Sequence, residues 1–539
     1  MRLPRRTVWA IIVALACVDL ILRYPQTPHG VGVDSFSFLT LTHAVVSQGR
    51  LAWIVHPLSP FGLYPLSYPS GSFALAAAFS DTSGAALEPA TLVLSLATGV
   101  FGIFSAFTMA REFWRNDIFA INVAIVFSLM PKFLTNTLWE VPTRGLFMAL
   151  TPLFLWAILR AVKVATLKTL GFAGLMFLLL GLFHRLAVLM VVVFIAFLVT
   201  LIFATAAQVA KRRFPNILMT PSFRSRSRLA GLLVYSVVLA GLLFGSGVLE
   251  SYQRGAYFSN DGVPGALGNL ALSLARSVGA LSPLALLGIP VVLFARNKAQ
   301  AEYLFLSLPL AIIPTLFLRS YTGFYVVAFF ALFIAMGCSF LLIRLRRRLV
   351  PFAIVAVLVA ATAGGSLAVR LELPSITYMT DSEYSAGLYA QRAVTGAMAC
   401  NDGLLASRIA SVSGTAYLPI GGATTAAYGP EALAFGFVRQ FNAVPLRFAD
   451  LNIDSDALYA PTDVTVGADW SVLMSTHLGP GADQIAHRYG ITTVCESVAA
   501  VGIYHTGWGV DYESSLLEDM YGSRYALFQG DGIRIWHAF

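Results

Sequence analysis

Long apolar stretches alternate with short polar joints over the first 369 residues, and then the texture changes. Apolar runs lie near residues 7–22, 86–110, 118–133, 145–161, 169–183, 186–206, 229–249, 278–295, 301–318, 323–343 and 349–368. Many of them reach the roughly 20 residues a helix needs to cross a bilayer. The pattern predicts a polytopic α-helical membrane protein with about 11 transmembrane helices. The first run, TVWAIIVALACVDLILR behind MRLPRR, lacks a small-x-small cleavage site and reads as a retained span. A long external loop, residues 23–85, separates it from the second. Inside that loop DSFSFLTLTHAVVSQG sets Phe38, Leu41 and Val45 on one helical stripe, with Asp34 at its start and Gly49 where a C-cap glycine falls. This predicts an interfacial helix lying on the outer leaflet.

From about Arg370 the sequence turns polar and rich in Gly, Asp and Ser. ADQIAHRYGITTVCES predicts a short helix, a glycine stop and a β-branched strand, and SRYALFQGDGIRIWHAF predicts a hairpin about a Gly-Asp-Gly turn. The expected organisation is therefore a transmembrane domain over 1–369 and a soluble mixed α/β domain over 370–539.

Composition agrees with a membrane protein: 57% of residues are hydrophobic and 12% charged, and the mean hydropathy is +0.75. The net charge of +9 conceals an asymmetry. Residues 1–369 carry 28 basic and 10 acidic side chains, whereas 370–539 carry 8 and 17. The basic joints at Arg160/Lys163/Lys168, Lys211 to Arg228, Arg296/Lys298 and Arg344 to Arg348 fall on one side together with the N-terminus. The positive-inside rule makes that side cytoplasmic, so the high pI reports topology and implies no nucleic acid. An odd number of spans sends the tail outside, a multi-pass cell-membrane protein with its C-terminal domain extracytoplasmic. There Cys400 and Cys495 are candidates for a disulfide.

Charges are few on the outward side, so each can be weighed. Asp34 reads either as an N-cap or as a carboxylate able to ligate a divalent cation or act as a base. Glu140 and Arg144, in PKFLTNTLWEVPTRG, read as an intrahelical ion pair or as a second carboxylate and a cation beside Asp34. His184 and Arg185 interrupt a long apolar run, snorkelling or contacting an anion. Arg319 stands alone in a short outward turn, where its guanidinium suits a phosphate. Asp19, deep in the first span, is the one feature that suggests a transporter. No metal-binding Cys or His array, P-loop, serine elbow or GxGxxG before a helix is present.

These residues resemble the C-class integral-membrane glycosyltransferases, which include oligosaccharyltransferase catalytic subunits, protein mannosyltransferases and aminoarabinose transferases. The likeness rests on LRYPQTPHGVGVDSFSFLTLTHAVVSQGRL with Arg23, Asp34 and Gly49, on YPLSYPSGSFALAAAF, and on LRSYTGFYVVAFFALFIAMG with Arg319. It implies transfer of a sugar from a polyprenyl-phosphate or -diphosphate donor to a lipid, glycan or protein acceptor at the outer face. It also implies Asp34 as catalytic base or metal ligand, Glu140 as a second carboxylate or metal ligand, and donor-phosphate contacts from Arg319, Arg144, His184 and Arg185. A divalent metal, Mg2+ or Mn2+, belongs to that expectation. The Trp-Trp-Asp-Tyr-Gly acceptor motif of the oligosaccharyltransferases is absent; GWGVDYE, with Trp508, Asp511 and Tyr512, is a loose counterpart. The rival readings are a transporter or lipid flippase, and a non-enzymatic membrane scaffold with an exterior binding domain.

Overall fold

Helices dominate the computed structural model, which describes residues 3–48, 71–213, 221–253, 262–294, 298–316, 319–344, 349–371, 378–418, 469–470, 472–474, 481–498, 502–505, 511–514 and 526–539. In chain order the helices of the N-terminal part are α1 (Arg5–Arg23), α2 (Val33–Gln48), α3 (Gly71–Ser83), α4 (Leu87–Phe113), α5 (Asp117–Leu129), α6 (Pro131–Thr135), α7 (Thr143–Val164), α8 (Leu167–Phe183) and α9 (Leu189–Arg213). They continue as α10 (Pro221–Gly245), α11 (Val248–Gln253), α12 (Gly262–Val278), α13 (Pro283–Leu293), α14 (Gln300–Thr315), α15 (Arg319–Arg344) and α16 (Leu349–Leu371). Among the described residues four segments are long and apolar enough to cross a membrane: Leu87–Phe113, Thr143–Val164, Leu186–Ala206 and Tyr321–Leu342. A fifth results if α12 and α13, bent by 94°, count as one broken span.

Two of the expected spans are shorter than their apolar runs, for local reasons. The run at 118–133 ends as a helix at Leu129, because the residue before Pro131 is pushed out of helical conformation. The run at 278–295 is helical only over Pro283–Leu293, after Gly279 at φ +87°. α1 is anchored by an internal ion pair. Arg23 is fully buried, pairs with Asp19 one turn earlier, donates from Nε to Thr137 Oγ1 at 2.6 Å and lies 5.0 Å from the Phe133 ring. Gly99 leaves room for it: a Cβ there would sit 2.5 Å from Arg23 Nε. The charge deep in the first span thus has an internal partner.

The described chain falls into two compact units. One comprises Met1–Tyr24, Leu96–Leu138 and Thr143–Glu372; the other comprises Pro25–Ser95, Trp139–Pro142 and Leu373–Phe539. The second unit holds α2, α3, α17 (Asp381–Ala393), α18 (Gly403–Ser413) and α19 (Ala482–Tyr489). It also holds the strands β1 (Ala397–Cys400), β2 (Tyr417–Leu418), β3 (Ile491–Ser497), β4 (Gly502–His505), β5 (Asp511–Ser514), β6 (Ala526–Gly530) and β7 (Ile533–His537). The main sheet has the order β2-β1-β3-β7-β6, with β2, β1 and β3 parallel and the C-terminal hairpin antiparallel. Alternation along β1 divides the core. Ala397 and Ala399 join a cluster with α2, α19, Trp470 and Trp536, while Met398 and Cys400 join one with α17 and α18.

The expected tail elements are present. Gly490 stops α19 in the left-handed region at φ 64°, and the hairpin turns on Asp531 and Gly532 at φ 37° and 76°. Positive φ at both central positions is what a two-residue type I′ turn requires. Cys400 and Cys495, in register on neighbouring strands, form a disulfide. On α2, two residues of the stripe that periodicity assigns to the membrane surface pack within the unit: Phe38 is buried in the cluster with Val494, Trp470 and Trp536, and Val45 packs against it.

Candidate functional site

The candidate residues divide between the two units: Asp34 and Glu140 lie in one, and Arg144, His184, Arg185 and Arg319 in the other. In the first group, Gly30 and Val31 are held in extended backbone. Val31 pairs with Tyr378, and the Met379 N–H donates to the Gly30 carbonyl at 3.2 Å. The Val31 N–H donates to the Trp139 carbonyl at 2.7 Å, and the Val141 N–H donates to Ser35 Oγ at 2.8 Å. The two carboxylate-bearing loops are thereby stitched together on either side of Glu140. At the crossing stands Gly32, at φ +96°, where a Cβ would lie 2.8 Å from Glu140 Oε2. The Glu140 carboxylate therefore rests against the backbone that opens α2.

Asp34 occupies the first turn of α2 and is exposed. The N-cap position falls to Gly32, whose carbonyl accepts the Ser35 N–H at 2.9 Å. Both carboxylates thus sit at a helix N-terminus, where the partial positive charge of unpaired N–H groups favours anions. Gly49, expected as the C-cap, and the stretch YPLSYPS lie outside the described residues. Glu140 and Arg144 do not share a helix, because Glu140 precedes the start of α7 at Thr143. The four-residue spacing is not an intrahelical pair.

Sequence reasoning missed the group that braces these loops. Glu88 accepts the Gly30 N–H at 2.9 Å through Oε1 and His29 Nδ1 lies 3.2 Å from the same oxygen. The Glu88 carbonyl accepts Trp139 Nε1 at 2.9 Å, so one residue holds both loops. On its other side His29 Nε2 is 3.2 Å from Asp381 Oδ1, and its ring stacks on Tyr384 with centroids 3.9 Å apart. Burial, reinforced by the Glu88 charge, pushes the Tyr384 phenol upward. The available signal was a lone Glu opening an apolar run, in LEPATLVLSLATG.

In the other unit, basic side chains gather on one aromatic ring. Lys132 Nζ is 4.2 Å and the Arg144 guanidinium 5.3 Å from the Phe324 centroid, within the range of cation–π attraction. The His184 ring lies 6.3 Å from both Phe324 and Tyr321, and its Nδ1 accepts the Leu186 N–H at 3.1 Å. Gly323 lets the Lys132 stem pass, since a Cβ there would meet Lys132 Cγ and Cε at 3.2 Å. Arg144 and His184 are thus brought together, with Lys132 as an addition that the sequence reading left out. Arg319 opens α15 and Arg185 opens a 3-10 turn before α9; their side chains lie outside the described residues. Residues 507–510 of GWGVDYE lie outside them too.

No protein-family model matches the chain, and no curated protein matches it in sequence. Solved structures do match. The Archaeoglobus fulgidus oligosaccharyltransferase tethered to an acceptor peptide with the NVT sequon superposes at a TM-score of 0.57 and 14% identity, covering 95% of this chain and 74% of that one. The chain has the C-class glycosyltransferase fold. Two further structures of the A. fulgidus enzyme agree. The complex with Zn and sulfate gives a TM-score of 0.56 at 13% identity, over 94% and 73% of the two chains. The complex with an inhibitory peptide and a dolichol-phosphate gives 0.54 at 13%, over 95% and 74%. Among the described residues of this chain no three His, Cys, Asp or Glu side chains are grouped to hold a metal ion.

Proposed function

We propose that this chain is a membrane glycosyltransferase that moves a sugar from a polyprenyl-phosphate or -diphosphate donor to an acceptor at the outer face of the cell membrane. The observation that carries the reading is the meeting of the Asp34 and Glu140 loops at the N-terminus of α2, with Gly32 against the Glu140 carboxylate. The C-class fold and neighbours whose structures hold a dolichol-phosphate or an acceptor peptide support a lipid-linked donor. Asp19, the one hint of a transporter, is engaged by Arg23.

In this reading Asp34 orients the acceptor and takes its proton, and Glu140 supplies the second negative group. The acceptor oxygen or nitrogen attacks C1 of the sugar, the bond from C1 to the phosphate oxygen breaks, and the lipid phosphate leaves. Arg144, His184, Arg185 and Arg319 hold that phosphate and meet its developing charge, with guanidinium forks suited to phosphate oxygens. Asp34 and Glu140 are hard oxygen donors of the kind Mg2+ or Mn2+ prefers, and would hold such an ion. When bound, it would withdraw charge from the leaving phosphate. The arrangement proposed for the membrane half is about 11 spans with the N-terminus cytoplasmic and residues 370–539 outside.

The decisive substitution is Asp34→Asn, which keeps shape and removes the base. It is expected to cut transfer by roughly 10²–10⁴-fold, the usual worth of a positioned base. Envelope glycans would be lost and the lipid-linked sugar would accumulate, both measured by mass spectrometry in cells that retain the protein. Unchanged glycans without a lipid intermediate would sink the proposal.

A further inference from the structure

The end of the bundle that carries the N-terminus is hollow between α1, α4 and α5. A cavity of about 630 Å³ opens there, lined by Leu3, Arg5, Phe107, Thr108, Arg111, Glu112, Arg115, Asp117 and Trp156. Its two carboxylates already have partners. Asp117 accepts the Leu3 N–H at 3.0 Å and lies 3.4 Å from Arg111 Nε. Glu112 meets Lys163 Nζ at 3.0 Å and Arg160 at 3.6 Å. Among the described residues no ion pair engages Arg5 or Arg115, and both are exposed. With Arg160 and Lys163 the group holds five cations against two carboxylates, so the cavity is left net positive.

One turn further along the same helices the surface becomes apolar. Trp9, a turn beyond Arg5 on α1, is 57% exposed, with Val13 exposed beyond it. Phe104, a turn before Thr108 on α4, is exposed as well, and its ring lies 6.3 Å from that of Trp9. Arginines in a cavity followed by an aromatic and aliphatic strip match a molecule with an anionic head and hydrocarbon chains. Basic pockets between helices at the cytoplasmic surface favour anionic head groups, and interfacial Trp marks the head-group depth.

We propose that this cavity holds the phosphodiester head group of an acidic phospholipid, with Arg5 and Arg115 on the phosphate and an acyl chain along Trp9, Val13 and Phe104. The proposal is independent of the transferase reading, because no residue of that site takes part. Each bound lipid would stabilise the folded chain by mass action.

The test uses the full chain, purified in detergent, delipidated, and given equal amounts of phosphatidylglycerol and phosphatidylcholine with the same acyl chains. Native mass spectrometry should show phosphatidylglycerol retained at least tenfold over phosphatidylcholine. Removing both arginines, R5A/R115A, should weaken it by about tenfold or more, given the usual worth of two basic residues near an anionic surface. R6A/K168A removes two exposed charges outside the cavity and should change nothing. Lipid-free melting curves establish that each variant is folded; if R5A/R115A is not, R115Q alone should show a graded loss. Equal loss in R6A/K168A, equal retention of the two lipids, or displacement by glycerol phosphate at the same concentration would each overturn the proposal.

Discussion

Gly32 concentrates the demands of the candidate site in one backbone position. Its φ of +96° belongs to a region L side chains avoid, and a Cβ there would approach Glu140 Oε2 to 2.8 Å. Gly84 offers the comparison: φ is +70°, and nothing lies within 4 Å of a Cβ. Alanine at either position should cost about 1–3 kcal/mol of backbone strain. Only Gly32→Ala should also displace the Glu140 carboxylate. Glycan output per folded molecule is therefore expected to fall at least tenfold for Gly32→Ala and to stay near wild type for Gly84→Ala. Equal output from the two would remove the Gly32 contact from the site. The sequence yields Asp34 and Glu140 because isolated charges stand out in apolar surroundings. It does not yield Gly32, Glu88 or His29, since their importance comes from partners 58 to 352 residues away.

The C-terminal hairpin and the glycine-stopped α19 are legible from sequence because their causes are local: positive-φ residues at fixed positions between patterned runs. α2 is legible as a helix, but periodicity gives a stripe without saying what covers it. The cover is α18 and the sheet. His43 on α2 shows the consequence: it lies against Gly414, where a Cβ would come within 3.5 Å of its Nδ1. Burial lowers the His43 pKa below 6.5, opposed by a backbone hydrogen bond with Ser411. The unfolded chain therefore binds more protons than the folded one below pH 6.5, and stability rises with pH across that window. His43's contribution is present above pH 6.5 and is lost as pH falls below it. Wild type should lose more thermal stability than His43→Gln between pH 7.5 and 5.5. Parallel losses would contradict an imidazole held against protonation by its surroundings in the fold.

The grouping of Pro25–Ser95 with residues beyond Leu373 is the part of the architecture that local patterns hide. A reading along the chain assigns the early loop to the membrane half, since contacts across hundreds of residues leave no periodicity. The texture change near residue 370, by contrast, is visible in charge alone. The oxidised pair within the C-terminal region offers a test of how its two sequence-distant ends are joined. Cys400 and Cys495 face each other in register on parallel strands, 95 residues apart in sequence. A crosslink closing a loop near that size removes unfolded-state entropy worth roughly 4–5 kcal/mol in the chain-entropy model, and losing a native disulfide typically costs about 2–5. Alkylation under denaturing, non-reducing conditions should label two thiols, Cys17 and Cys338, and prior reduction should raise the count to four. Four labels without reduction would disprove the bridge. Cys400→Ser, Cys495→Ser and the double variant should then lower the melting temperature of the C-terminal unit. The double variant should fall no further than the worse single one, because the bond is lost only once.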